Sequence, residues 1–224
     1  MAPELEFFLV KKNLDWDYPL EPPIGRNGRP ETARQSFSID AVNEFDPIFE
    51  DMYDFCEAQG LDVDTLVHES GAAQMELNFD HGEPLDLADQ VFLFKRTVRE
   101  AALRHDVYAT FMAKPMEHEP GSAMHIHQSL VDVNGKNLFA NEDGSNSELF
   151  LNYIAGMQKI YPGCDCLFCA KRQFLPSTGL RRSQRLPTWL GEKTTARLGF
   201  EFRSLIKMPA GLKTVTPVRM RTLT

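Results

Sequence analysis

Two glutamates flank one leucine in Glu4-Leu5-Glu6, and two histidines flank one isoleucine in His125-Ile126-His127. On a β-strand, residues two apart point to the same face. Both segments are otherwise apolar: Leu5 leads into Phe7-Phe8-Leu9-Val10, and Met124 and Ile126 bracket the first histidine. Two strands therefore each aim a pair of metal-ligand side chains at one side. Gln74-Met75-Glu76-Leu77-Asn78-Phe79 adds a carboxylate at Glu76, since Met75, Leu77 and Phe79 already mark the other face; Glu69 precedes it in the chain. Carboxylates on buried strands are costly without a compensating partner. Several of them beside imidazole suit a hard divalent cation, Mg2+ or Mn2+, held by oxygen and nitrogen.

Each residue alone has a plainer reading. Glu4 and Glu6 fit a solvated strand face, a lone histidine fits a satisfied core, and Glu69 fits a strand end. The pairing at i and i+2, beneath Gly121-Ser122-Ala123, favours a site. His68, His81, His105 and His118 read as surface or loop residues. Cys164, Cys166 and Cys169 have the spacing of half a zinc site and lack a fourth ligand.

The elements that must position these groups follow from periodicity. Residues 3–10 read as a strand. Residues 14–36 are rich in Pro, Gly and charge and read as a long loop, a length often tied to function. Asp46-Pro47 reads as a helix N-cap followed by proline at the first helical position. Ile48, Met52, Phe55 and Cys56 share that helix's face, and Gly60 ends it. Residues 63–68 and 74–79 read as strands joined by a small-residue turn. Residues 87–105 read as an amphipathic helix burying Val91, Phe94, Val98, Ala101 and Ala102. Strand 107–112, the turn signal Asn134-Gly135 and a helix from Ser147 to about Lys159 follow. After about Ile160 no period holds for more than one turn.

The chain has 224 residues, 42% hydrophobic and 25% charged, with net charge −8. These values are ordinary for a soluble globular protein. No apolar run is long enough to span a membrane, and no basic segment followed by an apolar stretch opens the chain. Four cysteines give no disulfide framework. A cytoplasmic protein with no membrane or nucleic-acid partner is the expectation. The average charge hides a split: residues 1–170 carry −18 and residues 171–224 carry +10.

Together the motifs resemble the catalytic domain of the glutamine synthetase family over residues 2–159. Pro3-Glu4-Leu5-Glu6-Phe7-Phe8 looks like its first metal strand. His68-Glu69 with Gly71-Ala72-Ala73-Gln74-Met75-Glu76 looks like its second carboxylate pair. Ala109-Thr110-Phe111-Met112-Ala113-Lys114-Pro115 leads into Gly121-Ser122-Ala123-Met124-His125-Ile126-His127-Gln128-Ser129-Leu130, similar to its histidine motif. The resemblance implies an α/β (α+β) fold: part of a curved, mostly antiparallel open-barrel sheet with outer helices. It implies that Glu6, Glu69 and Glu76 hold one divalent metal and that Glu4 and His125 help hold a second. His127 and Ser129 would face ATP, and Gly121 would contact the acyl substrate. The implied chemistry is phosphorylation of the γ-carboxylate of glutamate by ATP, then displacement of phosphate by an amine or ammonia. Pro120 stands where glutamine synthetases proper usually carry Asn. Glu117-His118-Glu119-Pro120 and Arg29-Pro30-Glu31-Thr32 look closer to the branch that joins glutamate to amines or polyamines. Family members form homo-oligomeric rings whose sites a neighbour's N-terminal domain completes. The expectation here is that such a domain is missing and that complete rings do not form.

Residues 160–224 form a basic segment without the family's later motifs. Read from the second codon base between Pro162 and about Gly179, degenerate codons permit A-A-I-A-F-F-A-P-N-V-N-S-Y-R-R-L. Read from the third base after Pro187, they permit N-L-A-W-G-K-D-N-R-T-T-G-F-R. Two frame changes, near residue 160 and between about 179 and 187, would explain the charge split and the lost periodicity together. The chain is then expected to be an incomplete, inactive form. An alternative of another class is a non-catalytic remnant whose basic tail binds nucleic acid.

Overall fold

The computed structural model describes residues 1–160 apart from Trp16 and Ala33, together with the backbone of residues 198–202 and 218–222. The chain divides into two units, residues 1–127 and residues 128–222.

The first unit is organised by β1 (Ala2–Lys11), whose interior is almost wholly buried. Five-residue α1 (Ile39–Asn43) and α2 (Asp46–Gln59) follow the long loop. Then come β2 (Val63–His68), β3 (Gln74–Phe79), α3 (Pro84–Arg104), β4 (Val107–Thr110) and β5 (Met124–Gln128). All pairings in this unit are antiparallel. β3 pairs with β1 from Glu4↔Asn78 to Phe8↔Gln74, and β2 pairs with β3. The other edge of β1 is shared: β5 pairs along residues 2–5 and β4 along residues 8–11. Among the described residues of this unit the sheet is open, as expected of an unclosed barrel.

Directly opposed residues share a face. Leu5, Phe7 and Leu9 therefore lie with Met75, Leu77, Phe79 and Ala109 on one face, where they are buried. That face packs on Ile48, Phe49, Met52 and Cys56 of α2 and on Leu87, Phe94, Val98, Ala101 and Ala102 of α3. Phe94 sits among the rings of Phe7, Phe79 and Phe111, with centroids 5.3–6.5 Å away. The edge-on geometry suits the ring quadrupoles.

α2 begins one residue earlier than expected. Phe45 is its N-cap, without a side-chain cap bond, and Asp46 is already helical with Pro47 behind it. Its end is as read: Gly60 has φ 67°, and its N–H reaches the Cys56 and Glu57 carbonyls. Short α1 was not foreseen; Ser38 Oγ accepts the Ala41 N–H and starts it. Such a helix is too short for its period to register.

In the second unit, α4 (Glu148–Ile160) is capped by Ser147, whose Oγ accepts the Phe150 N–H at 3.1 Å. Phe139, ahead of the helix, packs against its Phe150 and Tyr153. Beyond residue 160, β6 (Leu198–Phe202) and β7 (Val218–Thr222) pair antiparallel from Leu198↔Thr222 to Phe202↔Val218. The expectation of an irregular segment is corrected for these residues. Leu198, Phe200 and Phe202 alternate with Gly199 and Glu201, and Val218 and Met220 alternate with arginines. These are short period-two patterns that the scattered Arg and Thr around them obscure. The cysteine cluster and both frame junctions lie outside the described residues.

Candidate metal and substrate site

The face of the sheet opposite the helices carries the polar side chains. Glu4 is opposed by Asn78 and His125, Glu6 by Glu76, Phe8 by Gln74, and Ala2 by His127. The period-two register thus gathers Glu4, Glu6, Glu76, His125 and His127 on one side of three strands. At the far end of this face, Phe8, Val10 and Met116 form a small apolar cluster.

Glu4, Glu76 and His125 each offer a ligand atom, and these atoms lie within 4.8 Å of one another. His125 is 1% exposed. Its Nδ1 lies 2.9 Å from Glu4 Oε2 and 3.6 Å from Glu76 Oε2, and its Nε2 lies 3.8 Å from Glu6 Oε1. His127 Nε2 lies 2.5 Å from Glu4 Oε1. Glu4 therefore bridges both histidines. Glu76 Oε2 is buried without a hydrogen-bond partner among the described residues. A buried carboxylate oxygen left in this way is costly. The donor set is two carboxylates and an imidazole, and it fits a hard divalent cation, which would satisfy that oxygen.

Glu6 is held by protein groups. Its Oε2 accepts the Ala123 N–H at 2.9 Å and an Nε2 hydrogen of Gln74 at 3.1 Å. Burial pushes its carboxyl above the ordinary range; the Ala123 bond and His125 oppose this, and the Glu69 and Glu76 charges add to it. Glu69 lies just past β2, half-buried, and its Oε2 accepts the Ser70 N–H. Gly121 offers its carbonyl to Gln74 Nε2 at 3.0 Å. Ser129 falls in the second unit, half-buried.

Three positioning groups escaped the sequence reading. Gln74, 1% exposed, ties Glu6, the Gly121 carbonyl and the Gly71 N–H together. Its alternation with Glu76 and Asn78 was the signal available. Gly71 must be small there, because a Cβ would sit 2.7 Å from the Phe8 ring. Glu119 accepts the Ala72 N–H, and Glu31 accepts the Ala73 N–H. The assignment of His68 to the surface is wrong. It is fully buried, because its place opposite Met75 puts it on the core face, and its ring is bonded at both nitrogens. His81, His105 and His118 are exposed, as read.

The first unit is thus a mixed α/β unit whose open antiparallel sheet carries carboxylates and histidines together on its polar face. Residues 1–172 match the family model described as glutamine synthetase, catalytic domain, so the chain belongs to the glutamine synthetase family. The chain is 34% identical over 183 residues to γ-glutamylputrescine synthetase PuuA of Escherichia coli (strain K12), covering 79% of this chain and 39% of that protein. It is 37% identical over 159 residues to glutamine synthetase of Pyrococcus horikoshii, covering 71% of this chain and 33% of that one. It thus spans roughly a third to two fifths of the length of these relatives. Among solved structures, ligand-free GmaS superposes with TM-score 0.59 at 26% identity, over 74% of this chain and 38% of that one. The cryo-EM structure of Plasmodium falciparum glutamine synthetase shares the fold, with TM-score 0.62 at 21% identity, over 74% of this chain and 36% of that one.

Proposed function

We propose that this chain carries the metal-binding part of an ATP-dependent ligase that joins the γ-carboxylate of glutamate to an amine. The observation that carries the reading is the convergence of Glu4, Glu76 and His125 within 4.8 Å around a buried carboxylate oxygen that accepts no hydrogen bond among the described residues. Membership of the glutamine synthetase family supplies the reaction class. By family resemblance Glu6, Glu69 and Glu76 would hold one divalent cation and Glu4 and His125 would help hold a second; the closeness of Glu4, Glu76 and His125 supports placing both on this face. When bound, Mg2+ or Mn2+ neutralises phosphoryl oxygens during transfer. The chain's own groups fix that arrangement: Gln74 and the Ala123 N–H orient Glu6, and Gln74 also fixes the Gly121 carbonyl beside it. His127 and Ser129 are assigned to the nucleotide, and Gly121 to the acyl substrate, by family resemblance.

An amine donor is favoured over ammonia. Supporting it are the similarity to γ-glutamylputrescine synthetase PuuA over 183 residues and Pro120 in place of Asn. The chain as it stands is proposed to bind metal and ATP without turnover. Catalysis needs cationic groups on the transferring phosphoryl and a base for the incoming amine, and the sequence after residue 160 lacks the family motifs that supply them.

The test is ATP binding with and without Mn2+, followed by phosphate release with glutamate, ATP, Mn2+ and either ammonia or putrescine. Metal-dependent ATP binding with no amine-dependent phosphate release is expected. Turnover would overturn the proposed inactivity; absence of Mn2+ binding would overturn the site. Salt-sensitive binding to RNA or DNA, without metal-dependent nucleotide binding, would favour the nucleic-acid remnant.

A further inference from the structure

The long loop is anchored by a carboxylate that the metal face does not use. The Glu31 side chain is 8% exposed, although Thr32, Arg34 and Gln35 around it are exposed. Its Oε2 lies 3.0 Å from Nε2 of His68 and accepts the Ala73 N–H at 2.8 Å. On the other side of the same ring, Nδ1 donates to the Glu69 carbonyl oxygen at 2.6 Å. One buried imidazole thus connects the loop to the backbone of a candidate metal ligand. The loop's end is fastened at the same place, where the Phe37 N–H donates to the His68 carbonyl at 2.8 Å.

The turn held in this way is strained. Ala73 has φ 55°, a left-handed conformation disfavoured for a residue with a Cβ. The turn is also the link between the two carboxylates, since Glu69 precedes it and Gln74 and Glu76 follow it. Desolvating a carboxylate from an exposed loop is unfavourable unless every oxygen finds good partners. Glu31 Oε2 has such partners at the turn, the Ala73 N–H and the His68 ring, and Oε1 accepts from the Gln35 amide at 3.4 Å.

The geometry points to Glu31 and His68 as positioning residues: they form a latch that couples closure of the long loop to placement of Glu69 and Glu76, and so to divalent-cation affinity. This rests on the metal reading above. The coupling is reciprocal by linkage: a cation that needs the turn in place tightens the loop, and losing the latch weakens the cation by the same factor.

The experiment uses the whole chain in native form and as Glu31→Ala, Glu31→Gln and Thr97→Ala. The last is a control for lost stability, since Thr97 is buried and bonds Gln59 away from the site. Mn2+ affinity is read from free-ion EPR, and exchange of the segment 24–37 by hydrogen–deuterium mass spectrometry with and without Mn2+. Glu31→Ala is expected to weaken Mn2+ binding about tenfold, the lower range for lost outer-shell partners. It should also abolish a Mn2+-dependent slowing of loop exchange that the native chain displays. Glu31→Gln keeps an oxygen for the Ala73 N–H and should recover part of both; Thr97→Ala should keep native affinity. If Glu31→Ala binds Mn2+ within twofold of native, or native loop exchange ignores Mn2+, the latch is overturned. Should Glu31→Ala not fold, Glu31→Gln decides by the same twofold criterion. A native chain that binds no Mn2+ overturns the metal reading itself, an outcome distinct from native and variant binding alike.

Discussion

Burial raises the Glu6 carboxyl, with the Glu69 and Glu76 charges adding to it. The folded chain therefore favours protonated Glu6 relative to the unfolded chain. That stabilisation is complete below the ordinary value of 4.5 and is lost as pH rises through the raised folded value. Metal-free protein should lose stability across that window. Glu6→Gln removes the charged form, and its melting midpoint at pH 7 should rise. Its Mn2+ affinity should fall in the same samples. Calorimetry from pH 4 to 8 checks both the midpoint and the flattened pH dependence; a lower midpoint at pH 7 would mean that burial does not govern Glu6. Cys56 is a second residue-scale case. Burial pushes its thiol up to about 11, so at neutral pH it stays protonated and unreactive. Iodoacetamide at pH 8 should leave the Cys56 peptide unmodified in the native protein and modify it after urea unfolding, as read by peptide mass mapping.

At the scale of elements, β1 separates two tasks by parity. Leu5, Phe7 and Leu9 build the core while Glu4 and Glu6 share the other face, so a one-residue slip against β3 would put Glu4 and Glu6 into the core. The α3 side of that core rests on Phe94, which is fully buried among three aromatic rings. Phe94→Ala should destabilise the chain by about 3–5 kcal/mol, measured by urea unfolding. Strands β2 and β3 and the buried stripe of α3 were legible because a period sustained over several residues outweighs local accidents. α1 and the hairpin of β6 and β7 were not. Their patterns are five residues long; the Ser38 cap starts α1, and strand pairing rather than propensity makes β6 and β7 regular.

For the whole molecule, cation binding and folding are linked. If Glu4, Glu76 and His125 hold a cation in the folded chain alone, as proposed, Mn2+ at 100 times its dissociation constant should stabilise the chain by about 2.7 kcal/mol. A thermal melt in Mn2+, reversed by EDTA, measures it; an unchanged midpoint would argue against the site. The charge split of −18 against +10 belongs to the same scale. If two frame changes explain it, the encoding DNA carries the hidden motifs in the alternative frames. A version with the frame restored should then release phosphate in an amine-dependent way.

By itself the sequence determined which side chains share a face. Alternation along a strand needs no tertiary information: it pairs Glu4 with Glu6 and His125 with His127 and sets Glu76 on the face opposite Met75 and Leu77. It also determined the helical stripes and the αL stop at Gly60, because both depend on residue type and spacing. Only the tertiary structure decided distance. That Glu4 reaches both histidines, that Gln74 orients Glu6, and that His68 is a buried link to Glu31 all depend on strand register and on where a long loop returns. Loop closure joins residues far apart in sequence, and no local period encodes it.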